Sequence, residues 1–263
     1  MHTSHGMQAL LFDLDGTLRH NLPSGGEVFT EHVRQLGLPV SDEDRLRGQR
    51  WEHYYWASSV DLRKDLDTFK GDDQAFWRNY SRRRLVALGA SDSQVEEIAP
   101  SVSAFMEESY EPENMVPPEL PGVLTTLKDM GLRMGVVSNR DKPYWQLLEE
   151  LGLCPFFEFS LAAGEVNSWK PDVGIFHAAL QRIHSRPAET VYVGDNYFAD
   201  VLGSLRAGLQ PVLYDPTGIF DDPGCPTIKS FHQLPGILHS LSMPAKSPHS
   251  IKEVGESWPG NAR

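Results

Sequence analysis

Cysteine is scarce in this chain, with two in 263 residues, Cys154 and Cys225. They lie far apart and lack the paired spacing of a metal-thiolate site, which excludes a zinc-cysteine module and a disulfide scaffold. Both read as reduced, incidental thiols. Long apolar runs are also missing: none approaches the ~20 residues that a membrane span requires. The opening Met1-His2-Thr3-Ser4-His5-Gly6 has no basic segment followed by an apolar one, so it is not a secretory signal, and a cytoplasmic protein is expected. His2 and His5 read as part of a frayed terminus. Positive charge is in deficit, with 24 Lys and Arg against 36 Asp and Glu and a net charge of −12. That balance argues against nucleic acid and anionic membranes as partners. A site for a phosphate would need its own cation and its own basic side chains. No internal repeat is visible.

Hydrophobic residues make up 40% of the chain, enough for a sizeable core, or for one domain and a smaller one. Strand-like segments cover Gln8–Asp13, Leu132–Ser138, Phe159–Ala163, Thr190–Gly194 and Gln210–Tyr214. Helical patterns lie between them at Gly122–Met130, Pro143–Leu151, Val173–Ile183 and Asp200–Ala207. Such alternation predicts βαβ units and a parallel sheet. Residues 21–116 break the rhythm, with amphipathic helices expected over Glu27–Leu36, Asp42–Ser58, Gln74–Leu88 and Ser93–Tyr110. Ser41 and Ser91 look like helix caps. The division is therefore a sheet domain of residues 1–20 and 117–242, a helical insertion of 21–116, and a polar, loosely docked or disordered tail of 243–263.

Four strand ends carry the chemistry. Leu10-Leu11-Phe12-Asp13-Leu14-Asp15-Gly16-Thr17 is an apolar run that delivers two carboxylates at alternate positions, then a turn and a hydroxyl. Residues i and i+2 of a strand point the same way, and unpaired carboxylates are costly to bury, so this pair suggests a cation. A carboxylate can attack phosphorus, and a second one can protonate a leaving oxygen and then activate water. The closeness of the two charges predicts a raised pKa for one of them, which suits Asp15 as the acid. Asp-Gly is also an ordinary turn signal. Val136-Val137-Ser138-Asn139-Arg140 ends a strand in a hydroxyl and an amide, which also fits a helix cap. Lys170, in Trp169-Lys170-Pro171-Asp172, is a compact positive charge just before a helix. Val193-Gly194-Asp195-Asn196 ends a fourth strand in an acid, and Asp200 follows five residues after Asp195, where it could equally favour a helix N-terminus.

In this order the four motifs resemble those of the haloacid dehalogenase-like hydrolase superfamily in its phosphatase form. The resemblance covers about residues 1–20 and 117–235. It implies a Rossmann-like α/β core with an inserted helical cap, a Mg²⁺ ion, and phosphoryl transfer through an aspartyl-phosphate. Asp13 would be the nucleophile, Asp15 the acid and base, and Ser138 and Lys170 the stabilisers of the transferring group. Gly16, Thr17, Asn139 and Arg140 would meet the substrate. Mg²⁺ takes oxygen ligands at ~2.0–2.1 Å, usually with one or two carboxylates. Asp13, Asp195 and the main-chain carbonyl of Asp15 are the candidates, with Asn196 and Asp200 behind them. The implied substrate is a small phosphorylated metabolite, and both a monomer and a dimer are compatible with the sequence. A phosphomutase would share all four motifs. A dehalogenase needs neither Asp15 nor a metal. A phosphonatase needs an early cap lysine, and none lies between Leu18 and Arg63. A non-catalytic binding protein is the remaining alternative.

Two features of the insertion admit two readings. Trp51, Tyr54, Tyr55, Trp56, Phe76, Trp77 and Tyr80 are either the core of the insertion or an aromatic wall around a leaving group. Arg82-Arg83-Arg84 is either a solvated face or a site for a second anionic group.

Overall fold

Residues 7–241 are described by a computed structural model. His2, His5 and the tail at 243–263 lie outside the described residues. The chain runs through β1 (Ala9–Phe12), β2 (His20–Leu22), α1 (Gly25–Gln35), α2 (Asp42–Trp56), α3 (Val60–Thr68), α4 (Asp73–Ala87), α5 (Asp92–Ser109) and β3 (Glu113–Met115). It continues through α6 (Leu120–Asp129), β4 (Arg133–Ser138), α7 (Trp145–Glu150), β5 (Phe159–Ala162), α8 (Ala163–Val166) and α9 (Val173–Ile183). The last elements are β6 (Thr190–Gly194), α10 (Leu202–Arg206), β7 (Gln210–Tyr214), β8 (Thr227–Ile228) and α11 (Leu234–Leu241). Two compact units emerge, one of residues 7–20 and 114–241, the other of 21–113. Among the described residues, no helix is long and apolar enough to cross a membrane.

The first unit is an α/β sheet with a Rossmann-like parallel arrangement. Its six strands run in the order β5-β4-β1-β6-β7-β8, and every pairing is parallel. β1 is fully buried because both of its faces are apolar. Leu10 and Phe12 enter one core with Val136, Val193 and residues of α6 and α11. Ala9 and Leu11 enter a second core with Val137, Tyr192 and residues of α9. Each such Leu or Phe stabilises the fold by roughly 1.5–3 kcal/mol. This double burial explains why the strand reads as an unbroken apolar run. Strand order reverses on either side of β1, and ligands of open α/β sheets bind at the carboxyl ends of strands at such a reversal.

The second unit contains α1 to α5. Ser41 and Asp44 form a reciprocal cap at the start of α2, and Ser91 with Gln94 does the same for α5. One core gathers Phe29, Val33, Leu85, Ile98 and Val102. A second gathers Trp51, Tyr55, Leu62, Phe76 and Tyr80. Of the aromatic residues of the insertion, these four rings are therefore core, with Trp51 and Tyr55 stacked 5.0 Å apart, whereas Trp77 is 49% exposed. The arginine triplet splits three ways. Arg82 pairs with Glu96 on the surface and Arg83 with Asp61 and Asp65. Arg84 is buried against Glu52 at 3.0 Å, so the solvated-face reading fails for it.

Some boundaries differ from the sequence reading. The helix expected from Pro143 starts at Trp145. The helix expected from Asp200 is a wider π turn, Tyr197–Val201, leading into α10. The expected helix Asp42–Ser58 ends at Trp56, and Ser58 takes a left-handed backbone that admits α3 as a separate helix.

Candidate active site

Sequence places Asp13 directly after β1, Ser138 at the end of β4, and Asp195 directly after β6. Because β1 pairs with both β4 and β6, these three carboxyl-terminal ends are adjacent. Lys170 comes from the segment between α8 and α9, and Asp200 from the π turn after β6.

The centre is the ammonium of Lys170, which is 2% exposed. It donates to Asp13 Oδ1 at 2.6 Å and to Asp200 Oδ1 at 2.7 Å. Tyr192 Oη lies 3.0 Å away and the Val137 carbonyl 3.3 Å. Asp200 Oδ2 accepts the main-chain N–H of Asn196 at 2.9 Å, so both of its oxygens are engaged. The Asn196 side chain accepts from the N–H groups of Phe198 and Ala199 and fixes the turn that carries Asp200. Gly194 makes room for that fold-back, since a Cβ there would stand 2.3 Å from Asp200 Oδ2.

One ligand atom each of Asp13, Asp195 and Asp200 lie within 4.8 Å of one another. Thr17 is fully buried, and its hydroxyl lies 3.1 Å from Asp195 Oδ1 and 3.3 Å from Asp13 Oδ2 while accepting the Asp195 N–H at 3.0 Å. Thr17 thus contacts the carboxylates rather than open space. Gly16 has φ +92°, and a Cβ there would stand 2.4 Å from Asp195 Oδ2. Asn139 brackets the Lys170 backbone, accepting its N–H at 2.6 Å and donating to its carbonyl at 2.9 Å. Its amide orients main chain.

Asp15 stands apart from this centre. Arg140 Nε and Nη2 each donate to its carboxylate at 2.8 Å, and Arg19 Nη1 also pairs with it. Ser138 Oγ makes a long contact with Asp15 Oδ2 at 3.4 Å. Arg19 also donates to Asn114 Oδ1 at 2.6 Å.

The electrostatics separate the carboxylates. Burial raises Asp13 to about 7, against the opposing pull of Lys170 and with the help of Asp200 and Asp15. Burial also raises Asp195 well above its ordinary value, and Asp13 and Asp200 add to it. Burial would raise Asp15 too, but the hydrogen bonds and charge of Arg140, with Arg19, outweigh it and the pKa falls. This reverses the expectation that Asp15 is the raised member of the pair. The arginines that cause the reversal both follow it in sequence, Arg19 four residues on and Arg140 125 residues away. Lys170 is held well above its ordinary value because Asp13 and Asp200 overcome the cost of burial.

Buried hard oxygens with unrelieved negative charge suit a small divalent cation. Asp200 is committed to Lys170 and Asn196, which leaves Asp13 and Asp195 as the carboxylates able to hold an ion. Tyr192 escaped the sequence reading. Its phenol also donates to the Val137 carbonyl at 3.0 Å and so braces the lysine. The available signal was a tyrosine inside a valine-rich buried strand, since a buried phenol needs a partner.

A family model described as haloacid dehalogenase-like hydrolase matches residues 7–208. Haloacid dehalogenase-like hydrolase domain-containing protein 3 of Mus musculus is 29% identical over 239 residues, covering 89% of this chain and 92% of that protein. Ribulose-1,5-bisphosphate 5-phosphatase of Halopiger xanaduensis is 28% identical over 214 residues, covering 80% of this chain and 85% of that protein. Among solved structures, a 2-haloacid dehalogenase from Pseudomonas syringae aligns with a TM-score of 0.51 and 26% identity, covering 89% of this chain and 99% of that one.

Proposed function

The chain belongs to the haloacid dehalogenase-like hydrolase family, and we propose that it is a Mg²⁺-dependent phosphatase acting on a small phosphorylated metabolite. The observation that carries this reading is the buried Asp13–Lys170–Asp200 centre with Asp195 beside it. The likeness to a sugar-bisphosphate phosphatase supports it. A dehalogenase would need the nucleophile Asp13 but neither Asp15 nor Asp195, and the presence of both weighs against that chemistry despite the likeness to one. We assign residues 21–113 as the cap that the family resemblance implies.

In the proposed reaction, Lys170 holds Asp13 Oδ1 and leaves Oδ2 with the long contact from Thr17. Asp13 Oδ2 attacks the phosphorus, the P–O bond to the leaving group breaks, and an aspartyl-phosphate forms. Asp15 gives its proton to the leaving oxygen and later takes one from the water that releases phosphate. Its two arginines favour the carboxylate, so it must leave them to carry the proton. Asp13 and Asp195 would hold Mg²⁺, with the Asp15 main-chain carbonyl, and the ion would supply positive charge to the phosphoryl oxygens. Lys170 and Ser138 supply preorganised stabilisation of the same group. Asp200, Asn196, Asn139, Thr17 and Tyr192 position the reacting groups, and Gly16 leaves the space Asp195 needs.

Hydrolysis of p-nitrophenyl phosphate and of a panel of phosphorylated metabolites tests this, in Mg²⁺ and in EDTA. Turnover that needs Mg²⁺ and disappears in Asp13→Asn is expected. Turnover that survives EDTA or Asp13→Asn, or no turnover of any ester by the wild type, would overturn it.

A further inference from the structure

Arg140 is bound by only part of its guanidinium. Nε and Nη2 grip the two Asp15 oxygens at 2.8 Å each, an arrangement that fixes the plane of the group. Its Nη1 has no hydrogen-bond partner among the described residues. The side chain is 35% exposed, and its guanidinium carbon lies 5.9 Å from the centroid of the Tyr144 ring. Arg140 therefore presents donors to solvent within one side-chain length of the acid that, in the proposed reaction, serves the leaving oxygen. Asp15 is shared with a second guanidinium, Arg19.

From this we infer that the substrate carries a second anionic group, a carboxylate or a phosphate, on its leaving group, and that Arg140 binds it. The inference rests on the phosphatase reading for the placement of the leaving group. A planar fork takes an oxyanion through two parallel hydrogen bonds. A hydroxyl at the same place would accept at most one and would bring no charge. The outward edge of the guanidinium, Nη1 with the second N–H of Nη2, can take that anion while Nε and Nη2 stay on Asp15.

Matched pairs test it. Phosphoglycerate against glycerol phosphate exchanges a carboxylate for a hydroxymethyl group. Fructose bisphosphate against fructose monophosphate adds a second phosphate. The wild type should favour the acidic member of at least one pair by about tenfold or more in kcat/KM, and the pair that responds identifies the anion. Arg140→Gln should bring that ratio close to one, while Arg140→Lys keeps the charge without the fork and should fall between. Dissociation constants measured by calorimetry in Asp13→Asn should show the same ratio, and the same loss on adding Arg140→Gln. These binding ratios do not depend on turnover, so a protein without phosphatase activity would overturn the function proposed above and leave this inference to be decided by binding. A ratio near one for both pairs in the wild type, or one that Arg140→Gln leaves unchanged, would overturn it.

Discussion

Each of the two units buries one basic side chain beside an acid and a tyrosine hydroxyl. In the helical unit Arg84 pairs with Glu52 at 3.0 Å, touches Tyr80 Oη at 3.4 Å and lies over the Phe29 ring at 4.7 Å. In the sheet unit Lys170 meets Tyr192 Oη at 3.0 Å and two acids, Asp13 and Asp200. The difference is charge balance. One cation and one acid, with Glu52 28% exposed, make a closed pair. One cation stands among Asp13, Asp200 and the adjacent Asp195, and burial, with the neighbouring carboxylates adding to it, raises the pKa values of Asp13 and Asp195. A balanced buried pair is a structural fastener, whereas an unbalanced one is an invitation to a positive ligand.

The largest break in that comparison is Asp13→Asn. It should lower kcat/KM for any substrate by about 10⁴–10⁶-fold, as removal of a nucleophile does, with the folded state retained by circular dichroism. A smaller loss would remove Asp13 from the centre of the chemistry.

The second test concerns pH. Asp13 titrates near 7 in the folded state and near its ordinary 3.8 when unfolded, so the folded protein binds the proton more tightly. Stability is then greatest below about pH 4 as far as this group is concerned, and declines as pH rises through 7. Urea denaturation in EDTA should show that decline, on the order of 4 kcal/mol at most. Mg²⁺ should restore more stability at pH 8 than at pH 5. An equal gain at both would show that these carboxylates do not receive the ion.

Arg84→Met probes the balanced pair. It should cost about 2–3 kcal/mol in urea, below the loss for a fully buried pair because Glu52 is part exposed. The double variant Arg84→Met, Glu52→Leu should recover part of that. No recovery would mean that Arg84 acts through packing on Phe29 rather than through charge. The smallest effect belongs to Tyr192→Phe. Loss of one hydroxyl from Lys170 should lower kcat about tenfold, near 1–1.5 kcal/mol, with KM unchanged. A change in KM alone would place Tyr192 outside the positioning of the lysine.

What could be read from sequence depended on how local the cause was. The ends of β1 and β6 announce themselves through apolar runs that stop at Asp13 and Asp195, and the spacing to Asp200 marks a second acid close by. The clamp on Asp15 does not, because its stronger half, Arg140, meets Asp15 only after β1 and β4 align, and with the local contact from Arg19 it sets the direction of the pKa. Lys170 was legible as a charge, but not its brace, since the reach of the Tyr192 phenol depends on which strand lies beside β6. Helical spacing puts Trp51 with Tyr55 and Phe76 with Tyr80 on shared faces, but that those faces are core is shown only by the packing of the helices. The burial of Arg84 does not follow from spacing either, because three successive arginines occupy three different faces of α4.

The position of β1 has a consequence for biosynthesis. Among the described strands it leaves the ribosome first, its neighbours β4 and β6 emerge more than a hundred residues later, and Asp13 waits 157 residues for Lys170. Throughout that interval an apolar strand stands without its partners, while the helices of 21–113 make short-range contacts. Contacts of such separation form slowly, and unpaired apolar strands invite aggregation. Asp13 and Asp15, both just past the carboxyl end of β1, place two charges beside that apolar strand and would help to keep the nascent segment soluble.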